Sequence, residues 1–242
     1  MLKELQNSLL QIIYPQECRV CFSQVENADY GISCIKCWNE TRIFRGDEML
    51  CDKCGAFFGD NAAPVAVFCH KCDNHFYDKA AAVGVYEKGM SATILNLKEQ
   101  PILPERLRSL IPTAIERNGF FNADLIIPIP LSKQRRLERG FNQAEVIAEQ
   151  LLRATNIPVD KASLARKHHT PIHRIGMDKR ARELTVQNAF EVLRPKLIAG
   201  KKVLLVDDVF TSGATASYCA KALKKNGAVG VNIFTLARAV MN

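Results

Sequence analysis

The hydrophobic pattern divides the chain into two parts. From about residue 80 onward, short unbroken apolar runs alternate with segments whose apolar residues recur at helical spacing. Ala80 to Tyr86, Asp124 to Pro130, Ala162 to Ala165, Val203 to Val206 and 229–236 read as strands. Continuous apolar runs bounded by polar or turn residues suit strands buried on both faces. Met90, Ile94, Leu95 and Leu97 predict a helix over 90–98, which Pro101 and Pro104 interrupt before a second helix from Leu107 to Arg117. Gly140 precedes a longer helix from Asn142 to Thr155, whose buried face is set by positions 144, 147, 148, 151 and 152. A polar stretch over 167–178 leads into a basic helix from Asp178 to Leu184, and a last helix runs from Ala214 to Asn226 and stops at Gly227. Strands alternating with helices specify a parallel α/β sheet.

The first 77 residues show no such alternation. Leu2, Leu5, Leu9, Leu10, Ile12 and Ile13 make one face of an opening helix, read as docking on the protein's own core. After it come four C-x-x-C pairs: Cys18/Cys21, Cys34/Cys37, Cys51/Cys54 and Cys69/Cys72, with gaps of 12, 13 and 14 residues. This is the spacing of tetrahedral four-thiolate zinc sites. Two structural zincs are expected, about one per two pairs. Consecutive pairing (Cys18, Cys21, Cys34, Cys37; then Cys51, Cys54, Cys69, Cys72) is the simpler arrangement, and a crossed pairing stays open. His70 and His75 are read as bystanders, since eight thiolates already fill two sites. A zinc closed by four thiolates has no open position for catalysis, so its role is folding. Redox dithiols and structural disulfides fit four serial pairs poorly. Cys219 stands apart and reads as a small buried residue. The expected organisation is a helix with a double zinc-knuckle module over 1–77 and an α/β domain over 78–242.

Charge follows the same division. The net charge is +8, but residues 1–77 hold 7 Lys/Arg against 10 Asp/Glu, while 78–242 hold 26 against 15. The acidic part is −3 and the basic part +11. Such an excess attracts polyanions, including nucleic acid and diphosphate. No apolar run approaches about 18 residues, so no membrane span is expected. The opening residues do not form a signal peptide, and a cytoplasmic location is expected.

Chemistry concentrates at two strand ends. Val203 to Val206 runs into Asp207 and Asp208, then Thr211-Ser212-Gly213-Ala214-Thr215, then a helix. Two carboxylates suit sugar hydroxyls. A hydroxyl- and glycine-bearing loop at a helix N-terminus suits a phosphate. No G-x-x-x-x-G-K-[ST] is present, which removes the P-loop reading. The strand ending at Pro130 delivers a second, basic loop: Pro130, Leu131, Ser132, Lys133, Gln134, Arg135, Arg136, Leu137, Glu138, Arg139, Gly140. Facing the acid pair, it would grip the diphosphate end of the same ligand. No Ser-His-Asp or Cys-His set is evident, and His168, His169 and His173 read as solvated.

The V-D-D-V-F-T-S-G-A-T segment resembles the PRPP-binding motif of type I phosphoribosyltransferases. Together with P-I-P-L…R-R-L-E-R-G-F-N-Q-A, Leu97-Lys98, Ala189-Phe190 and the cysteine knuckles, the chain resembles the ComF family of competence proteins and their GntX-like relatives. The resemblance implies a type I phosphoribosyltransferase-like parallel sheet flanked by helices, preceded by a small Cys-rich zinc-ribbon-like domain. It implies PRPP as ligand, with Mg²⁺. Asp207 and Asp208 would hold the ribose hydroxyls. Thr211, Ser212, Gly213, Ala214 and Thr215 would hold the 5′-phosphate. Pro130, Leu131, Ser132, Lys133, Arg135, Arg136 and Arg139 would meet the diphosphate. It further implies a role in DNA uptake with single-stranded DNA and a helicase-like ATPase partner, or transfer of phosphoribose to an acceptor. The pattern departs at Thr170-Pro171-Ile172-His173-Arg174, which lacks the family's Gln, at Thr185 where the family has Asn, and at Glu99 where it has Tyr. Arg182 fits the family's Arg; Gln187 and Asn188 receive no role.

Overall fold

The computed structural model describes residues 15–61, 65–167 and 189–240. The opening helix face over 2–13, the segment 170–174 and the basic helix over 178–184 lie outside the described residues. Described strands are β1 (Met49–Leu50), β2 (Phe57–Gly59), β3 (Lys79–Val85), β4 (Leu125–Pro128), β5 (Leu164–Arg166), β6 (Phe190–Val192), β7 (Lys202–Phe210) and β8 (Gly230–Arg238). Helices are α1 (Ile35–Asn39), α2 (Lys88–Leu97), α3 (Glu105–Arg117), α4 (Lys133–Arg139), α5 (Gln143–Thr155), α6 (Pro195–Ile198) and α7 (Ala214–Lys225).

The main sheet has the order β3-β8-β7-β4, and every pair in it is parallel. Alternation along the central strands supplies two cores. Leu204 and Val206 of β7 join Met90, Ile94, Leu107, Ile111, Ile147 and Leu151 from α2, α3 and α5. Val203 and Leu205 face the other way, onto Cys219, Ala220 and Leu223 of α7. The continuous apolar runs are thus strands covered on both sides, and each buried Leu, Ile or Val contributes about 1.5–3 kcal/mol. Cys219 is fully buried, as its sequence context suggested.

Three expectations are corrected. The strand read at 162–165 is β5, which leaves the main sheet and pairs antiparallel with β6. The strand read as ending at Val206 continues to Phe210, because β8 keeps pairing with it through Asp207↔Thr235 and Phe210↔Arg238. The basic loop after Pro130 is mostly helix α4. Ser132 caps it by accepting a hydrogen bond from the Arg135 N–H, and Gly140 ends it at φ +77°.

The cysteine module lies along the open edge of β3. Ala80 donates to the Lys53 carbonyl (2.7 Å), Phe44 to the Val83 carbonyl (2.9 Å) and Val85 to the Arg42 carbonyl (2.9 Å). A side chain at Gly84 would sit 2.4 Å from the Arg42 carbonyl oxygen, so only glycine admits this approach. The Arg117 guanidinium also donates to the Phe44 and Ala82 carbonyls. An edge that would otherwise offer free N–H and C=O groups is therefore covered. Among the described residues, no helix is long and apolar enough to cross a membrane.

Candidate functional site

Four cysteine sulfurs converge twice. Cys18, Cys21, Cys34 and Cys37 form one group, and Cys51, Cys54, Cys69 and Cys72 the other, each with its sulfurs within 4.8 Å of one another. This is the consecutive pairing, and the crossed alternative falls. Individual Sγ···Sγ separations are 3.5 Å for Cys21–Cys34, 3.4 Å for Cys54–Cys69 and 3.7 Å for Cys51–Cys72. A tetrahedral zinc with Zn–S bonds of about 2.3 Å needs sulfurs roughly 3.8 Å apart, so both groups fit the ion. Knuckle amides aim at the sulfurs: Cys34 N–H donates to Cys18 Sγ (3.3 Å) and Cys69 N–H to Cys51 Sγ (3.4 Å). His75 belongs to neither sulfur group; its Nδ1 lies 2.7 Å from the Tyr77 hydroxyl.

The acid pair and the anion loop meet at the other candidate site. A cavity of about 140 Å³ is lined by Asp207, Val209, Phe210, Thr211 to Ala216, Ile233 and Thr235. Because β7 runs on through the acids, they sit on opposite sides of the strand. Asp207 shares the α7 side with the loop. Asp208 turns to Lys98, whose Nζ lies 3.8 Å from its Oδ2. Asp207 Oδ1 accepts the Asp208 N–H (2.9 Å), and Asp208 Oδ1 accepts the Val209 N–H (2.7 Å). Burial first, and the Asp208 charge second, push the Asp207 carboxyl up to about 8. Two carboxylates this close titrate as a coupled pair, and burial favours retention of a proton within it.

The loop is shaped at Gly213. Its φ is +76°, and a Cβ there would lie 2.4 Å from Phe210 Cζ. Gly213 is the N-cap of α7 and offers no side chain to bond the first helical amides. Of these, the Ala214 N–H donates to Ser212 Oγ (3.4 Å); amides at a helix start suit an anion, favoured also by the helix dipole.

The basic element is placed at the same edge but does not line that cavity. Ile129 donates to the Val206 carbonyl (2.8 Å), which seats the start of Pro130–Ser132 beside the acid pair. Asn142 bridges the turn, donating from Nδ2 to the Ile129 carbonyl (3.0 Å) and accepting from the Ala144 N–H (3.1 Å). Lys133 and Arg135 are carried on the exposed helix α4. Arg136 is engaged with Glu145, and Arg139 donates to Gln143 Oε1 (2.9 Å). Gln143 Nε2 is buried and has no partner among the described residues. Lys98 matched the family pattern, but sequence reasoning gave it no role. Thr235 and Arg238 carried no sequence signal at all, being brought to the loop only by pairing of β8 with β7.

A parallel α/β sheet with a carboxylate-and-loop cavity, edged by two four-cysteine zinc centres, defines a zinc-ribbon α/β protein. A family model described as a double zinc ribbon domain matches residues 9–76. The chain is homologous to competence protein F, ComFC and the DNA utilization protein YhgH. It is 37% identical to competence protein F of Haemophilus influenzae over 117 residues, 48% of this chain and 51% of that protein. It is 33% identical to competence protein ComFC of Bacillus subtilis over 119 residues, 47% of this chain and 44% of that one. Against DNA utilization protein YhgH of Escherichia coli K12 the identity is 28% over 236 residues, 93% of this chain and 97% of that protein. The matches thus span about half of the first two relatives and nearly all of the third. Among solved structures, B. subtilis glutamine phosphoribosylpyrophosphate amidotransferase complexed with ADP and GMP aligns with 61% of this chain and 26% of that one. Its 22% identity and TM-score of 0.36 mark a likeness too loose to bear on the site.

Proposed function

We propose that this chain is a PRPP-binding protein of the ComF type acting in DNA uptake, with single-stranded DNA and a helicase-like ATPase as partners. The convergence of Asp207 and the Thr211–Thr215 loop on one cavity at the start of α7 carries the ligand reading. The names of the relatives, competence protein and DNA utilization protein, support the biological role. The 5′-phosphate would take the amides at the start of α7. The ribose hydroxyls would donate to the acid pair, and the diphosphate would lie toward the Pro130–Ser132 turn and Lys133 and Arg135. A bound hydroxyl donating to Asp207 favours its ionised form, so ligand binding would release the proton that burial retains. Mg²⁺ would add charge neutralisation at the diphosphate, held mainly by ligand oxygens with few protein ligands. The DNA reading draws on the +8 net charge and on exposed α4, with Leu137 at 86% exposure beside Lys133 and Arg135. Salt-sensitive binding to phosphates follows from such a surface.

The basic helix beside the acid pair also favours a second reading, transfer of phosphoribose to an acceptor. The bond from C1 to diphosphate would break, the acceptor would bond to C1 and lose its proton, and diphosphate would leave against α4. One titration tests the shared core of both readings. Calorimetry with PRPP and Mg²⁺ should show saturable binding, which Asp207→Ala with Asp208→Ala abolishes while both zincs remain. No binding by the intact protein removes the PRPP reading. Repeating the titration with single-stranded DNA tests the partner, and diphosphate release with a panel of acceptors separates binding from transfer.

A further inference from the structure

We propose that Arg238 couples the second zinc ribbon to the phosphate loop, so that zinc binding at Cys51, Cys54, Cys69 and Cys72 and ligand binding at Thr211–Thr215 strengthen each other. The identity of the loop's ligand rests on the PRPP reading above; the coupling itself does not.

Arg238 closes β8 and is held from both sides. Its backbone is in register with Phe210 of β7 and Val85 of β3, and its carbonyl accepts the Tyr86 N–H (2.8 Å). The side chain is buried, with 9% of the residue exposed. Its guanidinium lies 4.3 Å from the centre of the Phe210 ring. One nitrogen donates to the Thr211 carbonyl (2.9 Å), and the other lies 3.7 Å from Cys54 Sγ. Among the described residues, no carboxylate pairs with it. A buried guanidinium needs a counter-charge. Four thiolates around Zn²⁺ leave a centre of about −2, which supplies one. The cation is thus held between the metal centre and the base of the anion loop. Its fork fixes the carbonyl of the first loop residue.

A second set of contacts runs in parallel. His75 donates its backbone N–H to the carbonyl of Cys72 (3.0 Å), a zinc ligand. Its ring comes within 3.1 Å of where a Gly213 Cβ would stand. Tyr77 meets Phe210 edge-on at 5.8 Å, and the Phe76 N–H donates to Ser217 Oγ (3.1 Å) on the first turn of α7. Cys51, Cys54, Cys72, Tyr77, Phe210 and Ala216 share one buried cluster. Loss of the metal would release Arg238 from its counter-charge and His75–Tyr77 from their anchor together. Linkage is reciprocal, so a ligand that fixes the loop must tighten the metal.

The test is zinc release from the full chain to a colorimetric chelator, with and without PRPP. In the wild type, PRPP should slow the departure of one zinc and leave the other unchanged. Arg238→Met, still carrying two zincs, should bind PRPP about 5–150-fold more weakly, the range typical of coupling, and lose the slowing. Arg238→Lys keeps the charge without the fork and should recover part of both effects. It also carries the test if the methionine variant does not fold. PRPP affinity unchanged in either folded variant, or wild-type zinc release indifferent to bound PRPP, overturns the proposal. If the wild type binds no PRPP, the ligand reading fails and amide hydrogen exchange decides the coupling. Faster exchange over 210–216 in the zinc-loaded variant supports it, and unchanged exchange there sinks it.

Discussion

The two zinc knuckle pairs share one backbone design and differ in what surrounds the metal. In the first, the Phe22 N–H donates to the Cys18 carbonyl (2.9 Å) and the Cys18 N–H to the Ser23 carbonyl (2.7 Å). In the second, Gly55 donates to the Cys51 carbonyl (2.8 Å) and Cys51 to the Ala56 carbonyl (2.8 Å). The residue after the first C-x-x-C of each ribbon has the same left-handed backbone, φ +62° at Phe22 and +64° at Gly55. There the likeness ends. A Cβ at Gly55 would lie 3.1 Å from the Ala80 carbonyl oxygen, because β3 passes beside it. Phe22 points into solvent, 76% exposed. The first centre's buried cysteines cluster with Val25 alone among the fully buried residues, whereas the second centre's belong to the core that also holds α7 and β7. The first ribbon reaches the main core through Trp38, which donates to the Tyr30 carbonyl (2.9 Å) and is 1% exposed. One motif thus stands beside the core in one place, anchored there by Trp38 and Tyr30, and is part of the core in the other.

Removing a ligand from each centre should break that symmetry most strongly. Cys54→Ser is expected to lower stability by about 4 kcal/mol or more and to take ligand binding with it. Cys21→Ser should lose one zinc and faster exchange should stay local to the first ribbon. Thermal unfolding with zinc stoichiometry measures both, and equal losses would refute the contrast. Next, Trp38→Ala should cost about 3–5 kcal/mol by emptying the anchor's place in the core. Chemical denaturation followed by circular dichroism reads it, and a loss near that of Cys21→Ser would show that the anchor contributes little.

A smaller effect distinguishes the two left-handed positions. Gly55→Ala should destabilise by roughly 1–3 kcal/mol, from strain and the Ala80 contact. Phe22→Gly should stabilise by about 1 kcal/mol, since it relieves the conformation without losing packing. Same-sign results in urea unfolding would contradict the difference in surroundings. Asp207, on the α7 side of β7, gives a pH test. Asp207 titrates near 8 in the folded chain and near 4 when unfolded. The folded state therefore binds more protons in between, and stability falls as pH rises through that window. Asp207→Asn should flatten this slope and raise the melting temperature at alkaline pH. An unchanged slope would place the pH sensitivity elsewhere.

What was legible in the sequence follows the range of the interactions. The C-x-x-C pairs declared two metal centres because a knuckle is built within a few residues. Strands buried on both faces were readable from Val203–Val206 because burial leaves an apolar run. Where the same strand ends was not, since Asp207 to Phe210 stay extended only through pairing with β8. Helix α4 passed for a loop because Lys133–Arg139 has no buried residue to produce a helical apolar pattern. Its caps, Ser132 and Gly140, were the available signal. The short strand at 162–165 was found but assigned to the wrong sheet, because its partner β6 lies across a long sequence separation.

By itself, the sequence determined the fold class, the eight zinc ligands and the acid-and-loop motif, all of which are written in local spacing and burial pattern. Tertiary structure alone decided which cysteines share a metal. It also decided that the two acids are divided between the faces of β7, that the cysteine module covers the edge of β3, and that the second ribbon touches the loop through Arg238. These depend on contacts between residues dozens to nearly two hundred positions apart, such as Cys54 and Arg238. No local pattern encodes such contacts, because each partner's own neighbourhood is satisfied without reference to the other.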